Sequence, residues 1–250
     1  MRATGIVRRT DNPPMALSLS LNLLALDTST EHLSVAVQHA SRVWMHSGAG
    51  GAQASAHLIP TVRSLLAQAD LSLDGLDALV FGRGPGSFTG VRTACSVVQG
   101  LAFGARGGRG IDVLPVDTLL AVAEDARERC GCTQVVAVLD ARMDEVYSAR
   151  YEFGEHGWHG SGDFAVCAPE AVQVPEGWTV AGNALGTYGQ RLAPNARHVD
   201  ALPQAQALLR LAPQLLARGL AQPASAALPL YVRDKVAQTT AERAAQRGKI

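Results

Sequence analysis

The sequence predicts an α/β protein of two similar lobes, each a sheet flanked by helices. Three observations carry this expectation. Short apolar runs of strand length alternate with longer apolar stripes of helical spacing, as in layered α/β domains. The order of these runs repeats, because each half of the chain opens with three strands and then turns to helices and further strand. The first apolar strand of each half also ends in an aspartate: Leu24-Ala25-Leu26-Asp27, then Ala137-Val138-Leu139-Asp140.

In chain order, the apolar runs at 22–26, 33–38 and 43–46 read as three short strands. The segment 56–69 reads as a helix, because Leu58, Ile59, Val62, Leu65, Leu66 and Ala69 recur at helical spacing. A strand at 78–81 runs into a glycine-rich loop, and that loop opens a helix at 88–104. Here Val91, Ala94, Cys95, Val98, Leu101 and Ala102 form one apolar stripe, while Gly90, Thr93, Val97, Gly100 and Gly104 form a second stripe of small residues. A helix lying on a sheet needs only one such stripe. Strand 111–116 and helix 118–129 follow. The second half then gives strands at 134–139, 146–153, 164–167 and 178–181, and helices at 183–192 and 204–217. Residues 21–117 are expected to form the first lobe and 118–236 the second, with the C-terminal helix able to pack back on the first. Residues 1–20 and 237–250 are expected to be disordered, the latter because they are polar, small and basic.

Composition narrows the function classes. With 250 residues, 47% of them apolar, the chain can bury an ample core. Its 22 basic and 22 acidic residues cancel, which argues against a protein that grips nucleic acid unaided. Cys95, Cys130, Cys132 and Cys167 form no Cys-x-x-Cys pair, so neither zinc nor a disulfide framework is indicated, and a cytoplasmic location is expected. Arg2, Arg8 and Arg9 before the apolar run 15–26 imitate a signal peptide. The run ends in Asp27-Thr28-Ser29-Thr30 without a small-x-small cleavage site, and it is too short to span a membrane.

The run Gly82-Arg83-Gly84-Pro85-Gly86-Ser87-Phe88-Thr89-Gly90-Val91-Arg92 is the most informative in the chain. A glycine-rich turn between a strand and a helix N-terminus is where phosphates commonly bind. A P-loop needs Gly-Lys-Ser/Thr, but the two lysines are Lys235 and Lys249. A dinucleotide loop needs a third glycine where Thr89 stands. Nor is Ser87 in a nucleophile elbow, since Pro85 and Thr89 occupy the two glycine positions. Ser87 reads better as a helix N-cap, and the glycines Gly84 and Gly86 as a tight strand-to-helix turn. Arg92 sits in the first helical turn, where the dipole disfavours a cation, and so implies an anionic partner.

A duplicated unit with an aspartate after each first strand is similar in plan to the ribonuclease H-like superfamily of actin-like ATPases and sugar kinases. Five ordered segments narrow the resemblance: Leu26-Asp27-Thr28-Ser29, His57-Leu58-Ile59-Pro60, Gly84 through Arg92, Asp140-Ala141-Arg142-Met143-Asp144-Glu145-Val146-Tyr147, and Leu230-Tyr231-Val232-Arg233. Over roughly residues 21–236 the chain resembles the bacterial TsaB (YeaZ) family. That resemblance implies a non-catalytic, glycoprotease-like paralogue acting in tRNA threonylcarbamoyladenosine formation beside the anticodon. It would bind and activate the transferase TsaD and work with the ATPase subunit TsaE. The resemblance further implies that tRNA is met only through the complex, with no membrane; a homodimer through the same helices when the partner is absent is a compatible alternative arrangement. It places the partner contact on helices 56–69 and 88–104, for which Leu58, Val62, Leu65, Gly90, Val91, Ala94, Val97 and Val98 are the candidate residues.

No catalytic or metal site is expected. Catalytic relatives carry a helical His-x-x-x-His pair, whereas His57 has Gln53 and Thr61 four residues to either side. His156 and His159 lie three apart in a loop, and His-Glu-x-x-His does not occur, so metallopeptidase chemistry is unsupported. Asp27, Thr28 and Ser29 could form a weak, vestigial nucleotide site. The opposing turn Asp140-Ala141-Arg142-Met143 puts two long side chains where active relatives have glycines. In the other reading, Asp27 and Asp140 bond to nearby backbone N–H groups. The rival functions are a weak ATPase or a small-molecule kinase of the same fold.

Overall fold

A computed structural model describes residues 21–51, 54–160 and 162–233. The expectations for residues 1–20 and 237–250 lie outside the described residues. The first sheet has the order β3-β2-β1-β4-β5, from Leu23–Asp27 (β1), His32–His39 (β2), Arg42–Ala49 (β3), Ala78–Gly84 (β4) and Val113–Asp117 (β5). The pairs β1–β2 and β2–β3 are antiparallel, while β1–β4 and β4–β5 are parallel. The second sheet repeats this plan with Gln134–Arg142 (β6), Glu145–Gly154 (β7), Gly157–Gly160 (β8), Thr179–Gly182 (β10) and Arg197–Val199 (β11) in the order β8-β7-β6-β10-β11. A short strand, Ala165–Cys167 (β9), pairs with β7 beside β8. Two sheets of one topology make the duplicated α/β architecture a structural fact.

Five α-helices cover these sheets: Ala54–Gln68 (α1), Phe88–Gly104 (α2), Thr118–Cys130 (α3), Ala184–Tyr188 (α4) and Ala205–Ala217 (α5). The central strands are apolar on both faces because each face meets a helical layer. From β1, Leu24 and Leu26 point to the layer of α1 and α2, joining Leu58, Val62, Ala94 and Val98. Leu23 and Ala25 point the other way, into a cluster with α3 and α5 that also takes Val135, Ala137 and Leu139 from β6. Thus α3 and α5 lie between the lobes. Helix α3 touches strands of both sheets, and α5 packs across β1 and β2.

Sequence patterning misses β8 and β11. Strand β8 has the sequence Gly-Trp-His-Gly, which lacks alternation, and β11 is three residues long at a sheet edge. The helix expected at 183–192 is only Ala184–Tyr188. Gly189 takes φ 54°, ψ −130°, which an α-helix cannot continue, and a short 3-10 turn follows.

Candidate functional site

The glycine-rich turn follows β4, and its backbone groups are consumed within the protein. Gly84 N–H donates to Thr118 Oγ1 at 3.0 Å, and Ser87 N–H donates to the Ser29 carbonyl at 2.7 Å. The glycines permit close backbone approach. A Cβ on Gly86 would lie 2.5 Å from the Ser29 carbonyl oxygen, and one on Gly90 would overlap the Thr28 carbonyl. Thr28 Oγ1 in turn donates to the Gly90 carbonyl at 2.7 Å. The turn therefore clasps the segment after β1 and leaves these donors unavailable to a phosphate.

Asp27 and Thr28 are fully buried, and Ser29 nearly so, its edge forming part of a cleft wall. Asp27 Oδ1 accepts from Ser29 N–H at 2.8 Å and Ser29 Oγ–H at 2.6 Å, while Oδ2 has no hydrogen-bond partner among the described residues. Burial pushes the Asp27 carboxyl up to about 6, against the lowering effect of the two Ser29 bonds. Oδ2 lies against Gly82, where a side chain would collide with it. In this structure Asp27 and Thr28 are out of reach of a ligand in the cleft, because their polar atoms face β4 and α2.

Between the lobes lies a cleft of about 340 Å³, walled by Ser29–Glu31 and Gly86–Phe88 on one side and Asp140–Met143 on the other. Asp140 Oδ1 accepts from Arg142 N–H at 2.8 Å and from Tyr188 O–H at 2.8 Å, the strand-end role that the local reading of this aspartate gives it. Arg142, Met143 and Asp144 all have φ near +60°, a conformation unusual for three consecutive non-glycine residues. Arg191 holds this turn with two bonds to Asp144, at 2.6 and 2.7 Å, and a further ion pair to Glu170. Arg142 then reaches across the cleft to pair with Glu31. Above it passes the C-terminal segment: Leu230 N–H donates to the Arg83 carbonyl at 2.7 Å, and Arg233 pairs with Glu145. Sequence reasoning does not single out Tyr188 or Arg191, and it marks Arg233 only as part of the segment Leu230-Tyr231-Val232-Arg233, without its partner Glu145. Each acts through a partner distant in sequence, and no local pattern marks such a pair.

Two local expectations fail here. The Ser87 side chain makes no capping bond; its carbonyl accepts from Val91 N–H at 2.9 Å instead. Among the described residues Arg92 has no carboxylate partner. Its guanidinium lies 3.7 Å over the Phe88 ring, and its Nε donates to Tyr231 Oη at 2.7 Å. A π face and a hydroxyl suffice for a cation that remains exposed to water.

The expected partner-contact residues need correction. Leu58, Val62, Leu65, Gly90, Val91, Ala94 and Val98 are buried within the first lobe, and only Val97 is half-exposed. The apolar stripe of each helix faces the sheet, so these side chains are spent on the lobe's own core. Gly90 leaves the small-residue stripe because it packs on Thr28. On α2, Arg92, Ser96, Gly100 and Phe103 are exposed, with Thr93 and Val97 half-exposed beside them, and on α1 Ile59 and Arg63 are exposed. Nothing lies within 4 Å of a Cβ built on Gly100 or Gly104.

Among the described residues, no three His, Cys, Asp or Glu side chains group as metal ligands, and no helix is long and apolar enough to cross a membrane. Comparison with known proteins adds relatives to this geometry. Residues 49–193 match the family model described as TsaD, tRNA N6-adenosine threonylcarbamoyltransferase. The tRNA threonylcarbamoyladenosine biosynthesis protein TsaB of Escherichia coli K12 is 36% identical over 227 residues, which span 87% of this chain and 96% of the relative. The protein of that name from Haemophilus influenzae is also 36% identical, over 87% of this chain and 95% of its own length. Among solved structures, YeaZ from Pseudomonas aeruginosa superposes with a TM-score of 0.77 at 43% identity, covering 85% of this chain and all of that one. These neighbours fit the actin-like, two-lobed ribonuclease H architecture.

Proposed function

Because this chain belongs to the TsaB (YeaZ) family, we propose that it acts in tRNA threonylcarbamoyladenosine biosynthesis as a non-catalytic subunit that docks on and activates a TsaD-type transferase. The observation that carries this reading is the state of the interlobe cleft. In an ATPase of this architecture the turns after the two first strands hold phosphates. Here the turn after β1 spends Ser29 N–H on Asp27 and lies clasped under the glycine-rich turn after β4, whose Ser87 N–H donates to the Ser29 carbonyl. The other is an arginine-bearing hairpin bridged to Glu31. A chain with these features contributes surface more readily than phosphate chemistry.

The docking surface is the outer face of α1 and α2. Phe103 and Ile59 are exposed there at 56% and 45%, and Gly100 and Gly104 allow close approach of a second helix. A few such apolar anchors dominate the affinity of typical interfaces. Docking would favour the competent conformation of the transferase through contacts made only in that state. TsaE joins the same assembly, tRNA is met through it, and the location is the cytoplasm.

The test is reconstitution of tRNA modification from a TsaD-type transferase, a TsaE-type ATPase and a threonylcarbamoyl donor, with this chain present or omitted. Modification should depend on this chain, survive Asp27→Asn, and fall with Phe103→Glu as association weakens at least tenfold, about 1.4 kcal/mol. Charges at Ala94 or Leu65 would disrupt the core and are uninformative about docking. Equal modification without this chain would overturn the proposal. ATP turnover by the isolated chain that Asp27→Asn abolishes would instead favour the ATPase reading.

A further inference from the structure

Helix α3 ends in Cys130, and the next two residues, Gly131 and Cys132, lead into β6. In an extended chain, residues two apart carry side chains on one face but about 6.5–7 Å apart. Here Gly131 takes φ 70°, ψ 11°, a left-handed cap whose N–H donates to the Arg127 carbonyl at 2.8 Å. That turn folds the two cysteines together, and their sulfurs are 3.2 Å apart. Both thiols are free. Cys130 is half-buried, with its S–H also 3.1 Å from the Ala126 carbonyl, while Cys132 is buried in the cluster between the lobes.

We propose that Cys130 and Cys132 form a reversible thiol–disulfide exchange site that takes a low-molecular-weight disulfide such as oxidised glutathione. Cys130, the more accessible thiol, attacks as thiolate one sulfur of the small disulfide. The S–S bond of the reagent breaks, one glutathione leaves as thiolate and is protonated, and a mixed disulfide remains on Cys130. Cys132 then gives up its proton and attacks Cys130 Sγ, expelling the second glutathione. Two protein thiols are oxidised by two electrons, and one glutathione disulfide is reduced to two thiols. The sulfurs need to close by about 1.1 Å to reach a bond of about 2.05 Å.

The order of attack follows from the surroundings. Burial, together with the neighbouring Cys130 sulfur, pushes the Cys132 thiol up to about 12. Cys132, buried and holding its proton more tightly, therefore acts second, after the more accessible Cys130. Cys95 and Cys167 have no such neighbour among the contacts of the described residues.

The experiment incubates the folded full-length protein with excess oxidised glutathione and follows free thiols and intact mass. The expected result is loss of two thiols, a mass lower by two hydrogens, and an internal disulfide in the tryptic peptide spanning 130–142, all reversed by dithiothreitol. A Cys95→Ser/Cys167→Ser variant should behave alike, and Cys132→Ser should instead retain one glutathione on Cys130. Three results would overturn the proposal: wild type stopping at a stable glutathione adduct, disulfide-linked dimers, or unreactive thiols that oxidise only in urea. The wild-type mass decides even if a variant fails to fold.

Discussion

Two glycines on one helix make opposite predictions. Both Gly90 and Gly100 lie in α2, and by helix propensity alone replacing either with alanine should stabilise the protein by about 1 kcal/mol. Gly100 has open space around a new Cβ, so Gly100→Ala should realise that gain. At Gly90 the new Cβ overlaps the Thr28 carbonyl oxygen and comes 2.9 Å from its carbon. The obstacle is backbone at the end of a central strand, which cannot swing aside as a side chain would. Overpacking of this kind costs about 3 kcal/mol, and displacing Thr28 also strains the hydrogen bond from its hydroxyl to the Gly90 carbonyl, about 1 kcal/mol more. Less the propensity gain, Gly90→Ala should lose about 3 kcal/mol, which separates the two variants by about 4 kcal/mol. Urea unfolding followed by far-ultraviolet circular dichroism, with unchanged slopes, gives the comparison directly. Gly90→Ala as stable as Gly100→Ala would refute the claim that the glycine-rich turn exists to clasp the strand end.

Asp27→Asn should change the pH dependence of stability. The folded carboxyl titrates near 6, above its unfolded value, so between about pH 4 and 6 the folded state holds the extra proton. Stability from this group is full below that window and lost as pH rises through it. The wild type should therefore lose roughly 3 kcal/mol relative to Asp27→Asn across the window, at about 1.4 kcal/mol for each pH unit. Parallel urea midpoints for the two proteins from pH 4 to 7 would count against a buried, unpartnered Oδ2. Glu124→Gln concerns the opposite case, a buried carboxylate bonded by Arg127, Arg210 and Trp158 Nε1 at 2.8–3.0 Å, which hold its carboxyl below the usual range despite burial. Removing its charge leaves two arginines facing a neutral group and should cost about 3 kcal/mol. Tryptophan emission should shift as the charged acceptor of Trp158 becomes a neutral amide, and an unchanged midpoint and spectrum would refute the network.

The fold was legible because its central strands and flanking helices are long and patterned. Leu24 and Leu26 against Leu23 and Ala25 already place helices on both sides of β1, and Asp27 and Asp140 mark equivalent strand ends. The site was less legible, since its geometry comes from pairs far apart in sequence. Nothing near Arg142 announces Glu31, and nothing near Arg233 announces Glu145. Helix faces misled for a different reason. An apolar stripe says that a face is buried but not against what, so Leu58, Ala94 and Val98 fitted a partner interface as well as they fitted the sheet beneath them.

That ambiguity bears on the proposed docking role. In this chain the glycines that resemble a phosphate loop have become packing contacts, and Gly82, Gly86 and Gly90 each admit an atom of the Asp27–Ser29 segment. Restoring a phosphate site would require freeing Ser87 N–H from Ser29 and Gly84 N–H from Thr118, as well as withdrawing Arg142 from the cleft. The first two changes would remove contacts that hold the turn at the head of α2. The cleft cannot be reopened by one substitution without loosening the helix that carries the outer face. A docking role preserves that coupling, because the closed turn fixes α2 in place and Phe103, Val97 and Gly100 are presented on a helix anchored at its N-terminus.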